Sequence, residues 1–153
     1  MGVKEQVEAI AAEWVGRTVG PGEPLEIEKG AVRRYAEAIG DDNPLYRDPE
    51  YARASVHGGI PLPPGFLITA MRSGGEREFQ IPLPVSRRVR GEDELIWLQP
   101  VVVGDILRAT TRITGIEPKE ARSGFMVVVT TETTYHNQRG EAVLIDRARV
   151  IKR

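Results

Sequence analysis

The sequence has no cysteine, which excludes disulfides and thiolate chemistry and fits a reducing compartment. Histidine is nearly absent as well: His57 and His136 are the only two, too few for a histidine cluster. Charge of one sign is not in excess, with 21 basic residues against 22 acidic ones and a formal net charge of -1. A protein that grips a phosphate backbone carries a strong Lys and Arg surplus, so nucleic acid is not expected as a partner. No apolar run is long enough to span a membrane, and the start, Met1 to Gln6, is too acidic and polar for a signal peptide. The expectation is a soluble, cytoplasmic chain with no membrane association. Repeats and low-complexity tracts are missing too. What remains is 153 residues with 41% hydrophobic and 28% charged composition, an ordinary globular domain able to bury its own core. Residues 1–153 are read as one domain.

Hydrophobic spacing divides this domain into helices first and strands later. Val3, Val7, Ile10 and Trp14 fall at helical intervals, ended by Gly16 and the Gly20-Pro21-Gly22 turn. Leu25 to Glu28 is a short strand candidate. Gly30 is placed as the cap of a second helix with Val32, Tyr35, Ala36 and Ile39 on its apolar face, closed by Gly40. Residues 41–64 carry Pro44, Pro49, Pro61, Pro63 and Pro64, which makes a long stiffened loop, and loops of that length in small domains are usually functional. Gly65 to Met71 then reads as a helix apolar on every side, and such a helix must be buried. Strands are expected at Leu95–Leu98, Ile106–Ile113, Phe125–Tyr135 and Ala142–Ile151, the last two joined by an Asn137-Gln138-Arg139-Gly140 hairpin turn. An antiparallel sheet curled around one buried helix is an α+β layout of the hot-dog kind.

The stretch Gly40-Asp41-Asp42-Asn43-Pro44-Leu45-Tyr46, with Ala52 six residues beyond Tyr46 and the Pro63-Pro64-Gly65-Phe66 helix start after it, carries a resemblance. It resembles the signature of (R)-specific enoyl thioester hydratases and MaoC-like dehydratases, Gly-Asp-x-Asn-Pro-x-His followed by an alanine. The element order is similar from about Gly16 to Ile151, including the Gln99-Pro100-Val101-Val102-Val103-Gly104-Asp105 turn, and is closest to the N-terminal half-domain type.

The resemblance implies a reaction: reversible hydration of a 2-enoyl thioester, equivalently dehydration of a 3-hydroxyacyl thioester, without metal or redox cofactor. In such proteins the Asp and His hold the water, while a backbone N–H at the central helix start polarises the thioester oxygen. Carried over by position, Asp41 is the carboxylate and Gly65 the oxyanion donor, with Asn43, Pro64, Phe66 and His57 beside the substrate. The sequence departs from the pattern at three places. Tyr46 stands where the histidine belongs, Pro64 fills the place of a second histidine before the glycine, and Ile39 replaces a Ser or Thr. Histidine titrates near pKa ~6.5 and tyrosine near ~10, so a phenol is a poor proton shuttle at neutral pH. The half-domain type resembles a partner that shapes the acyl pocket while a second MaoC-like chain supplies the dyad.

Plainer readings stand beside these. Asp41 and Asn43 also make good turn chemistry after a helix, and Tyr46 could be a core aromatic with a satisfied hydroxyl. His57, flanked by Gly58 and Gly59, also reads as an ordinary loop residue. Arg87, Arg88 and Arg90 form a short basic run that could meet the phosphates of coenzyme A or of an acyl carrier protein arm, or be a solvated face. Three functions follow: a thioester hydratase or dehydratase subunit, a non-catalytic acyl-thioester-binding partner, and a hot-dog thioesterase, against which the Asp-x-Asn-Pro pattern speaks. The expected assembly is a homodimer or a heteromer with a second MaoC-like chain.

Overall fold

A computed structural model of the chain describes residues 2–70 and 79–153. Helix α1 spans Val3–Trp14 and turns Val7, Ile10, Ala11 and Trp14 onto a cluster with Ile113, Ile116, Val127 and Val129. Its end is covered by the Arg17 guanidinium, 4.2 Å above the Trp14 ring. Two short strands follow, β1 (Thr18–Val19) and β2 (Leu25–Glu26), both pairing with a later strand. Helix α2 spans Lys29–Ala38 with Glu28 as its N-cap, so Gly30 lies inside the first turn rather than capping it. Ile39 is not on the apolar face; it follows the last turn and is 56% exposed.

The long proline-bearing loop holds structure of its own. A 3₁₀ turn occupies Pro44–Tyr46, and α3 spans Pro49–Ala54 with Asp48 accepting the Glu50 and Tyr51 N–H groups at 2.9 and 3.1 Å. The expected buried helix is α4, described over Phe66–Ala70; it is buried on the Phe66 and Leu67 side only, and Thr69 is exposed, so it is not enclosed all round as its composition suggested. Met71, its expected last residue, lies outside the described residues.

The sheet is antiparallel, in the order β1-β4-β5-β6-β3, with β2 also on β4. Its long strands are β3 (Arg88–Trp97), β4 (Ile106–Ala121), β5 (Gly124–His136) and β6 (Ala142–Lys152). Strand β3 is longer than hydropathy indicates because its charged half is held by cross-strand pairs. Arg149 meets Glu92 at 3.1 Å and Arg147 meets Glu94 at 3.5 Å. Strand β4 continues past Ile113 through a register shift that leaves Thr114 without a partner on β5 and resumes at Gly115. Phe66 and Leu67 of α4 pack into a core with Ile27, Val32, Leu107, Tyr135 and Leu144, so the sheet curves over a buried helix in the hot-dog arrangement.

Among the described residues two buried side-chain oxygens lack a hydrogen-bond partner, Thr131 Oγ1 and Asp146 Oδ1, and only the second belongs to an ionisable group. Asp146 on β6 is 7% exposed, and among the described residues its Oδ1 has no hydrogen-bond partner. Burial, then the Asp93 charge, push its carboxyl up to about 6 against the opposing pull of Arg90. The unfolded chain releases this proton near 3.8, so between the two values the folded state holds more protons and loses stability as pH rises. A gap of about two pK units at about 1.36 kcal/mol each puts the penalty above pH ~6 at ~3 kcal/mol or less. Asp146→Asn is therefore expected to raise the melting midpoint by several degrees, up to ~10 °C, above pH ~7 and to change it little at pH ~4. Thermal denaturation at the two pH values checks this; an equal shift at both would contradict it.

Candidate active site

The site begins where α2 ends. The Gly40 N–H donates to the Glu37 carbonyl at 3.2 Å and the Asp41 N–H to the Ala36 carbonyl at 2.8 Å, a Schellman closure. Gly40 takes φ 71° to make it, a conformation open to glycine at no steric cost. The closure delivers Asp41 directly off the helix end. Its Oδ1 then accepts the Asn43 N–H at 3.0 Å, and Asn43 Oδ1 accepts the Leu45 N–H at 3.0 Å. Two successive Asx turns thus fold the Asp-x-Asn-Pro segment back over the helix, and Asn43 acts as the N-cap of the 3₁₀ turn. Arg47 steadies the bend through Asp42 at 3.1 Å. The turn role of Asp41 uses one carboxylate oxygen; among the described residues Oδ2 has no hydrogen-bond partner.

Tyr46, at the end of this turn, is half-buried. Burial raises its phenol above the usual tyrosine range, and the neighbouring Asp41 charge and Tyr35 push the same way. At neutral pH its hydroxyl is protonated, a hydrogen-bond donor rather than a base. Tyr46 lines a cleft of about 440 Å³ together with His57 and Pro64. The opposite wall is Trp97 to Val101, the end of β3 and the following turn. That turn is fixed by the buried Asp105, whose carboxylate accepts the Val102 N–H and the Gln138 side-chain amide, each at 3.0 Å. The Leu62 N–H donates to the Val101 carbonyl and the Val103 N–H to the Ile60 carbonyl, both at 2.8 Å, tying the proline loop to this wall.

Gly65 and Phe66 follow Pro64 and are not part of the cleft lining. The Tyr35 ring on α2 meets Phe66 edge-on at a centroid distance of 5.6 Å, and a Cβ added to Gly65 would sit 2.5 Å from the Tyr35 hydroxyl. Gly65 is therefore glycine for want of space, not for backbone strain. Gly65→Ala is expected to cost ~1–3 kcal/mol through this clash. In a Tyr35→Phe background the nearest ring carbon is 3.7 Å away, so the cost there should fall below ~1 kcal/mol. Denaturant unfolding of the four proteins in that cycle checks it, and equal costs in both backgrounds would contradict the geometry.

The structure places Tyr46, His57 and Pro64 on the cleft, with the Asp41 charge acting on Tyr46; Asn43 serves the turn, and Gly65 and Phe66 meet Tyr35 on α2. It does not bring the basic run there. Arg88 and Trp97 begin and end β3, about 30 Å apart at ~3.3 Å per residue. Arg90 is committed to Asp93, its Nε 2.6 Å from the carboxylate. Two parts of the site have no mark in the sequence. Tyr35 sits at helical spacing like any core residue, and Trp97–Pro100, the end of a strand and the start of its turn, read as structural rather than as a cleft wall. Among the described residues no group of histidine, aspartate or glutamate side chains has metal-binding geometry, and no helix is long and apolar enough to cross a membrane.

Comparisons with known proteins follow the same lines. Residues 13–146 match the family described as FAS1-like, dehydratase domain region. A UPF0336 protein of Streptomyces avermitilis is 31% identical over 148 residues, covering 95% of this chain and 96% of that protein. A probable enoyl-CoA hydratase alpha subunit of Thermomonospora curvata is 30% identical over 97% of this chain and 52% of its own length. Among solved structures, the MaoC-like dehydratase of Rhodospirillum rubrum superposes with a TM-score of 0.68 at 28% identity, covering 90% of this chain and 91% of that one. A chain of the ChsH1-ChsH2 complex of Mycobacterium tuberculosis gives a TM-score of 0.72 at 23% identity, covering 98% and 90%.

Proposed function

This chain belongs to the FAS1-like dehydratase-region family, within the MaoC-like dehydratases and hydratases, and from that premise we propose that it is an acyl-thioester-holding subunit of a 3-hydroxyacyl thioester dehydratase or 2-enoyl thioester hydratase. The acyl group lies in the cleft between Tyr46 and Trp97, and the substrate is a coenzyme A or acyl carrier protein thioester. The observation that carries this reading is Tyr46: a protonated phenol lines the cleft at the place of the histidine, beside the Asp41 carboxylate.

Hydration adds a water oxygen to the β-carbon and a proton to the α-carbon of the enoyl thioester. Asp41 can accept the water proton as the C–O bond forms. The Gly65 N–H offers a donor to the thioester oxygen, where negative charge develops. Tyr46 can orient the water or the carbonyl, but with its proton held more tightly than in free tyrosine it cannot cycle a proton at the operating pH. The chain therefore provides pocket and polarisation, and a second MaoC-like chain with an intact Asp-His pair provides fast proton transfer. The relative from Thermomonospora curvata bears the name of an alpha subunit, and a chain of a two-component complex shares the fold, which supports a partnered assembly.

Among the described residues β3 ends the strand order with no strand on its outer edge, which suits pairing with another sheet. A dimer or larger assembly is expected in solution. Light scattering at micromolar concentration tests this, and a stable monomer would count against it. The functional reading is tested by mixing the purified chain with crotonyl-coenzyme A: binding without appreciable hydration supports it.

A further inference from the structure

Tyr35 has no chemical role so far, yet its hydroxyl is the atom nearest to the vacant side-chain position of Gly65. Four observations converge on it. The ring is half-buried and is held edge-on against Phe66, which fixes the direction of its hydroxyl. A Cβ at Gly65 would lie 2.5 Å from that oxygen, and the Cα–Cβ bond adds about 1.5 Å, so the oxygen is within about 4.0 Å of the Gly65 Cα. Tyr35 also acts electrostatically on Tyr46, so the two phenols share one neighbourhood with Asp41. Among the described residues the Tyr35 hydroxyl has no hydrogen-bond partner.

We propose that Tyr35 is a second donor to the substrate carbonyl, its hydroxyl and the Gly65 N–H converging on one thioester oxygen. The distances allow it. The N–Cα bond adds about 1.5 Å to the 4.0 Å limit, so the Gly65 nitrogen and the Tyr35 oxygen are at most about 5.5 Å apart. One acceptor bridging an N–H at ~2.9 Å and an O–H at ~2.7 Å spans up to ~5.6 Å, so a single carbonyl oxygen reaches both. The phenol is neutral, which suits a donor to developing negative charge and needs no proton transfer. Glycine at position 65 then follows from the same arrangement, because any side chain there would occupy the space in which the hydroxyl and the carbonyl meet. The inference rests on the thioester-binding reading and deepens it by naming what polarises the carbonyl.

The test is the carbonyl stretching frequency of crotonyl-coenzyme A bound to the purified chain, read by difference Raman or infrared spectroscopy on the unmodified protein and on Tyr35→Phe. The variant retains the ring and its Phe66 contact. The unmodified chain should lower the carbonyl frequency, and Tyr35→Phe should lose roughly half of that displacement, as expected when one of two donors is removed. A purely structural Tyr35 would leave the bound carbonyl frequency unchanged. If the variant does not fold, ring-labelled tyrosine in the unmodified chain gives the same answer. With only four tyrosines in the sequence, the Tyr35 ring carbon bearing the hydroxyl can be followed, and its resonance must move when the thioester is added. Binding with an unchanged carbonyl frequency in Tyr35→Phe, or with an unmoved Tyr35 resonance, overturns the role of Tyr35 and leaves the thioester reading standing. No binding of the thioester by the unmodified chain overturns both.

Discussion

Tyr46→His is expected to turn a slow or silent homomer into a measurable hydratase, raising the rate on crotonyl-coenzyme A by ~10²- to 10⁴-fold, the usual contribution of a matched general acid or base. The expectation comes from what the site already has. Asp41 is delivered by the Schellman closure and the Asx turn, and one of its oxygens is uncommitted among the described residues. The cleft lined by Tyr46 is in place. What is missing is a group that takes and returns a proton near neutrality, and at Tyr46 burial and the Asp41 charge hold the phenolic proton more tightly still. An imidazole beside the same carboxylate would be stabilised in its charged form, which keeps its titration near the operating pH. Adding Asp41→Ala to the histidine variant should return the rate to its starting level. A histidine variant no faster than the parent, with thioester binding intact, would mean that Tyr46 is not at the dyad position.

The second large effect concerns the buried helix. Phe66→Ala should cost ~3–5 kcal/mol, because the ring is 5% exposed, packs with Leu67, Leu107 and Leu144, and loses its edge-on contact with Tyr35. For a domain of this size about 1 kcal/mol moves the midpoint by ~2–4 °C, so the expected fall is roughly 6 to 20 °C. Thr69→Ala, on the exposed side of the same helix, should move it by ~2 °C or less. Comparable losses at the two positions would contradict a helix buried on the Phe66 face.

Much of this was legible in the residues because it depends on local chemistry. The Asp41-to-Tyr46 turn could be read from side chains that bond their own backbone, and α4 from a run of apolar residues too dense for a surface helix. Density of Val, Thr and aromatic residues marked β5, and the Asn137–Gly140 turn joined it to β6. What could not be read depends on partners distant in the chain. The charged half of β3 is a strand because Arg147 and Arg149 on β6 face Glu94 and Glu92. Gly30 has the look of a cap, yet α2 starts before it. Tyr35 is spaced like a core residue, and only the folded chain brings its hydroxyl to Gly65. The Trp97–Pro100 wall enters the cleft because the buried Asp105 fixes the turn that follows it.

The most direct measurement follows crotonyl-coenzyme A mixed with the purified unmodified chain, recording bound thioester by equilibrium dialysis and enoyl absorbance in the same sample. The account predicts saturable binding with the enoyl group consumed slowly or not at all, and fast consumption once a chain carrying the intact Asp-His pair is added. Rapid hydration by the unmodified chain alone, lost in Asp41→Ala and Tyr46→Phe, would contradict it.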